Sequence, residues 1–180
     1  MVTSSVARTD RRPALVRSAP VAAFVAAAGF MVEGVITLVH HTGEDHWDGP
    51  SQVLNAAYAV AVVALILALP ALGRWLKVNR VGRVGIIAAQ IGFAAMAIES
   101  VVSGLHDGNT LSGLFFGGLL LSLVGLLVLG VAALVGGHAR WAALLPFLGM
   151  FVGVAGGEHG GSIVLGAVWV LLGMVMGRSE

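Results

Sequence analysis

Six apolar stretches, joined only by short polar connectors, take up most of this 180-residue sequence. They run over 20–40, 53–72, 84–105, 111–135, 141–157 and 162–177. A helix that crosses a bilayer needs about 20 predominantly apolar residues, with a range of roughly 17–25. None of the stretches alternates with period two as a barrel strand would. Connectors this short make neighbouring helices antiparallel. The sequence therefore predicts an all-α membrane protein, a six-transmembrane-helix bundle built from three helical hairpins. The last two stretches are short and glycine-rich. For them the alternative is a re-entrant pair whose non-helical backbone is shielded inside protein.

Charge supports lipid as the solvent. Only 11% of residues are charged, whereas a soluble domain carries roughly 25%. There is no cysteine, which excludes disulfides, thiolate metal sites and cysteine nucleophiles. The remaining charge is sorted by side. Arg8, Arg11, Arg12 and Arg17 precede the first stretch, and Arg74, Lys77, Arg80 and Arg83 lie between the second and third. Arg140 lies between the fourth and fifth, and Arg178 follows the last. In a six-span chain all of these fall on one side, which the positive-inside rule assigns to the cytoplasm. Both termini are then cytoplasmic (N-in/C-in). Trp75 and Trp141 sit at that interface and Trp47 at the other, in the manner of an aromatic belt.

Residues 1–19 read as a basic, disordered cytoplasmic tail before a transmembrane domain over 20–178. A signal peptide fits less well, because the first apolar run is too long for an h-region and contains Glu33. A single lysine among the basic residues, with abundant Ala, Gly and Val, suggests a bacterial genome and hence the inner membrane.

The opposite side is acidic and rich in histidine. Its loops read HHTGEDHWDGPSQ, LHDGNT and GGEHGG, without Lys or Arg. They hold His40, His41, His46, His106 and His159 together with Glu44, Asp45, Asp48, Asp107 and Glu158. Such a surface concentrates cations. An internal repeat points the same way. EGVITLVHH at the end of the first stretch aligns with ESVVSGLHD at the end of the third. Val35 then matches Val101, Thr37 matches Ser103 and His40 matches His106. Seven helical residues advance about 700° and rise about 10.5 Å, so each Glu and its His share one helix face. The fifth stretch keeps only the Glu158-His159 end, with Val152 where a glutamate would stand.

Glu33 and Glu99 lie about two turns below that surface. An intramembrane carboxylate persists only if it is paired, protonated or in contact with water. One reading makes the two a proton or cation coupling site. The other has them joining helices through hydrogen bonds to Gln90, Ser100 or Thr37. Above them, imidazole and carboxylate suit a divalent transition metal. The expected ligands are His40, His41, His46, His106, Asp107, Glu158 and His159. The spacing matches no established metal motif, and short outer loops that simply avoid Lys and Arg would look similar. His138, past the fourth stretch, reads as structural. Two glycine stripes, Gly149-Gly153-Gly157 and Gly113-Gly117, read as close-packing faces inside one bundle before a dimer face.

There is no phosphate-cradling loop, dinucleotide fingerprint or nucleophile elbow, so enzyme chemistry is not indicated. Nucleic acid is not a natural partner. The partners expected are the lipid bilayer and either a second copy or another membrane subunit. Three function classes remain. The first is a small inner-membrane protein whose outward His/carboxylate cluster binds a metal cation or couples to protons. The second is a redox subunit holding haem between His40 and His106. The third is an accessory subunit with no ligand.

Overall fold

A computed structural model of the chain describes residues 19–39, 49–106, 111–137 and 142–178. The basic tail, most of the connector after the first helix, Arg140 and His138 lie outside the described residues. Among the described residues six α-helices form: α1 Ala19–Val39, α2 Gly49–Trp75, α3 Arg80–His106, α4 Ser112–Val135, α5 Leu145–Ala155 and α6 Gly161–Arg178. A single 3-10 turn, Gly157–His159, joins the last two. All except α5 are long and apolar enough to cross a membrane. Only 33% to 50% of the most apolar window of each is buried inside the bundle. The rest is a belt of exposed side chains such as Val25, Leu67, Ile91, Leu120 and Leu171. A surface this apolar is stable against lipid and not against water.

The helices pack in the order α4–α3–α2–α1–α6–α5, with a thinner contact between α5 and α4. Small residues set the spacing. Along α3, Gly85, Ala89 and Gly92 form a groove at i, i+4 and i+7, which is one helix face. Gly118, Ser122 and Gly125 of α4 fill it. A methyl group on Gly92 would stand 2.6 Å from the Ser122 nitrogen, and one on Gly125 would stand 2.6 Å from the Gly85 carbonyl oxygen. The two backbones are therefore in direct contact, which maximises dispersion where lipid offers no hydrophobic drive. Gly166 of α6 meets the Ala27 carbonyl of α1, and Gly34 of α1 meets Ile163 of α6. That order of contacts makes α1 and α6 antiparallel.

The glycine stripe expected on the fourth stretch is not the packing face. A side chain on Gly113 or Gly117 would meet nothing within 4 Å. The stripe in contact is one position further on, rotated by about 100°, because it must match the small residues of α3. On the fifth stretch, Gly149 faces Val168 and Gly153 faces Leu165, whereas Gly157 is open.

That fifth stretch also forms a shorter helix than 141–157 would give. Pro146 stands at the start of α5 and Gly156 at its end, and Gly160 has φ 75°, which suits glycine. Eleven residues reach about 16 Å, roughly half the hydrocarbon thickness. The turn before it is enclosed by protein. Ala142 and Ala143 are fully buried, and the Ala143 carbonyl packs on Gly130 of α4. Non-helical backbone beside apolar helices is tolerated where protein surrounds it.

Two further departures from regular helix have local causes. Pro70 lies inside α2, where it has no N–H to offer the carbonyl of Ile66, four residues earlier. Gln90 of α3 donates to that carbonyl instead, at 2.8 Å. At its end, α2 closes in a Schellman motif, with Val78 N–H donating to Gly73 and Lys77 N–H donating to Arg74, each at 3.1 Å. Lys77 takes the left-handed position, φ 51°, which glycine would occupy with about 1 kcal/mol less strain. Asn79 then caps α3 by accepting from the Gly82 N–H at 3.1 Å.

Two outcomes test this packing. Gly92→Leu should destabilise the bundle by about 1–3 kcal/mol or more through overpacking, while Gly117→Leu should leave it unchanged. Thermal unfolding in detergent, read by circular dichroism, separates them. Gln90→Leu should cost about 1–3 kcal/mol by orphaning the Ile66 carbonyl. In a Pro70→Ala background the restored N–H bonds that carbonyl, so the same change should cost much less. Additive effects in that double-mutant cycle would show that the two residues are not coupled.

Candidate functional site

The end of the bundle where α1 and α3 finish holds two carboxyl groups facing one space. Glu33 of α1, Tyr58 and Asn55 of α2, and Glu99 and Ser100 of α3 line a cavity of about 300 Å³. Ser112, Phe115 and Phe116 of α4 complete its wall. The sequence-predicted pair thus reaches one cavity from two different helices. Ser112 and Phe116 are exposed, so the space opens toward the start of α4.

The two carboxyls are held differently. Glu99 is 5% exposed, and its Oε1 accepts a hydrogen bond from Ser103 Oγ at 2.6 Å. Ser103 is one helical turn on, which places its hydroxyl over the carboxylate. Thr37 occupies the equivalent position on α1, but its hydroxyl donates to the backbone carbonyl of Glu33 at 3.0 Å. Bonding back to i−4 is the usual choice for a threonine in a helix, and it leaves the Glu33 side chain to other partners. The hydroxyl of Ser162, at the start of α6, is hydrogen-bonded to that side chain. Glu33 Oε2 is buried with no hydrogen-bond partner among the described residues. Such an atom costs desolvation free energy unless a proton, water or cation meets it.

Of the helix-joining partners expected from sequence, none binds a glutamate side chain. Gln90 serves Ile66, Thr37 serves backbone, and Ser100 lines the cavity without a described hydrogen bond to either carboxyl. Ser162 takes that role for Glu33, whereas Ser103 binds Glu99 within α3.

Tyr58 lies within electrostatic reach of both glutamates. Its ring is held between Phe30 at 6.0 Å and Phe115 at 6.1 Å between centroids. Tyr58, Asn55, Ser112 and Ser162 were not anticipated. Tyr58 had a signal, as the only tyrosine in the chain and one placed inside an apolar stretch. The others are ordinary residues in sequence, and only packing brings them to the cavity.

The predicted metal ligands are placed less closely. His106 ends α3, exposed, with Nδ1 3.0 Å from the Val102 carbonyl oxygen. His159 ends the 3-10 turn, also exposed. His40, His41, His46 and Asp107, and the side chain of Glu158, lie outside the described residues. Among the described residues, no three His, Asp or Glu side chains come together as a metal site.

No protein family, curated protein or solved structure matches this chain. A functional reading therefore rests on the chemistry of the cavity.

The absence of native cysteine makes accessibility directly measurable. A cysteine at Ser112 or Asn55 should react with a membrane-impermeant thiol reagent in intact vesicles, and one at Met96, buried in the core, should not. Protection at both cavity positions would mean that the space is closed to water.

Proposed function

We propose that this chain is a small multi-pass membrane protein that binds a cation in exchange for protons at Glu33 and Glu99. The observation that carries the reading is that these carboxyls, from two helices, line one cavity with Tyr58, Asn55, Ser100 and Ser112. Two carboxylates in a low-dielectric site repel each other unless a proton or cation lies with them. Among the described residues, the lining offers oxygen donors and no imidazole. Carboxylate, amide carbonyl and hydroxyl oxygens suit hard cations such as calcium, magnesium or manganese. The transition-metal reading through histidine and the haem reading have less behind them, since His106 and His159 are not among the lining residues.

Deeper in the bundle the core is Phe93, Met96, Leu65 and Leu69, and Gln90 is committed to Ile66. Among the described residues, Ser122 is the buried polar side chain beside Met96 in this core, and one hydroxyl is too little for a polar path, which favours binding or sensing over permeation. By the positive-inside rule, the cavity opens to the outer face of a bacterial inner membrane, with both termini in the cytoplasm. The acidic loops of that face would raise the local cation concentration.

Calorimetric titration of the purified protein with calcium, magnesium and manganese, in two buffers of different ionisation enthalpy, tests the exchange. Binding should release protons, and affinity should fall as pH falls, because proton and cation compete for the same oxygens. Glu33→Gln or Glu99→Gln should weaken binding about tenfold or more, equivalent to about 1.4 kcal/mol, and the double variant should abolish it. His106→Ala/His159→Ala should bind normally. Absence of both binding heat and proton release in the unmodified protein, or an unaffected double glutamine variant, would sink the proposal.

A further inference from the structure

The opposite end of the bundle carries a second pocket of contrary charge. It lies between the end of α2 and the start of α3 and measures about 630 Å³. Pro70, Ile86 and Ile87 give it an apolar wall, and Arg74, Lys77 and Arg83 add three cations. All three basic residues are exposed, as is Ile87. Among the described residues, no acidic residue lines the pocket. None occurs anywhere in the sequence between Asp48 and Glu99, so α2, the connector and most of α3 supply no counter-charge of their own.

Topology alone would be satisfied by basic residues anywhere in this connector. Two observations go further. The cations surround a cavity with an apolar side, and not a flat surface. In addition, one of them holds a costly backbone conformation. Lys77 stands at the left-handed position of the Schellman motif, where glycine or asparagine is the low-strain choice. A strained residue that keeps a long charged side chain points to a use for that side chain.

We infer that this pocket binds the phosphate of an anionic phospholipid, with Arg74, Lys77 and Arg83 holding the headgroup and Ile87 guiding an acyl chain. The pocket lies at the end of two helices long and apolar enough to span a membrane, which is where headgroups lie. Val84, exposed on α3 next to Arg83, continues the apolar surface into the hydrocarbon layer. Arginine pairs with phosphate through paired N–H donors, and lysine does so as a point charge. Basic pockets between transmembrane helices recognise anionic headgroups in this way. The inference is independent of the carboxyl site, which lies at the other end of α2 and α3.

The test is thermal unfolding of the full-length protein in a neutral detergent, with added phosphatidylglycerol, phosphatidylcholine or inorganic phosphate at equal concentration. Phosphatidylglycerol should raise Tm by roughly 3–5 °C, and the other two should not. In Lys77→Gly/Arg83→Gln at least half of that rise should be lost, while Arg178→Gln, a charge removed elsewhere, should keep it. Lys77→Gly alone relieves backbone strain, so it folds at least as well as the parent and should still bind less phosphatidylglycerol by native mass spectrometry. An equal rise with phosphatidylcholine would reduce the effect to general lipid solvation, and an equal rise with inorganic phosphate would make the site one for a soluble anion. A full phosphatidylglycerol response in both Lys77 variants would overturn the site.

Discussion

A polar group inside a bilayer has no water to fall back on, and much of this structure follows from where each such group finds a partner. Regular helix satisfies most of the backbone. Where it does not, the structure finds other solutions. Pro70 removes the donor for the Ile66 carbonyl, and Gln90 replaces it from α3. The turn before α5 leaves the helical ladder, and it does so where Ala142 and Ala143 are fully enclosed. Ser103 is spent on Glu99. Against that background Glu33 Oε2, which has no hydrogen-bond partner among the described residues, stands out, because it lies in a bundle that meets comparable demands elsewhere.

Side-chain size enforces the same economy on packing. Lipid is as apolar as leucine, so helices gain little from hiding leucine from it. They gain from contact, and contact is closest where side chains are smallest. The opposed small residues of α3 and α4 bring backbone against backbone, and this pair shares the most extensive interface in the bundle. Larger residues meet elsewhere. The rings of Phe30, Tyr58 and Phe115, from α1, α2 and α4, lie together beside the cavity.

Much of the helix plan was legible because it depends on length and apolarity, properties each stretch carries by itself. Five of the six expected stretches become helices whose ends differ from expectation by a few residues. The fifth differs because proline and glycine, which hydropathy scores poorly, set its ends. Glu33 and Glu99 were legible as site candidates from depth alone. Their partners were not. Ser103 and Thr37 are equivalent in sequence and differ in what they bind, since the choice between carboxylate and backbone depends on local rotamers. Ser162 reaches Glu33 from the far end of the chain. Likewise, Gly117 and Gly118 are adjacent and similar, and only the face presented by α3 decides that Gly118 packs.

The unequal holding of the two carboxyls bears on how a site built from them would work. Glu99 is the more deeply buried, and its hydrogen bond to Ser103 is within its own helix, so it stays in place however the helices shift. Glu33 is held from another helix, by Ser162, and keeps one oxygen without a partner among the described residues. A pair of identical, fully satisfied carboxyls would favour a permanent shared proton and little exchange. A fixed carboxyl facing a less satisfied one gives a site with one constant ligand and one that responds to its occupant. In the proposed exchange, Glu99 is therefore the anchoring ligand and Glu33 the one whose free oxygen a cation engages. Because Ser162 links Glu33 to α6, occupancy would also change the seating of α6 on α1, the contact through which the last helix joins the bundle.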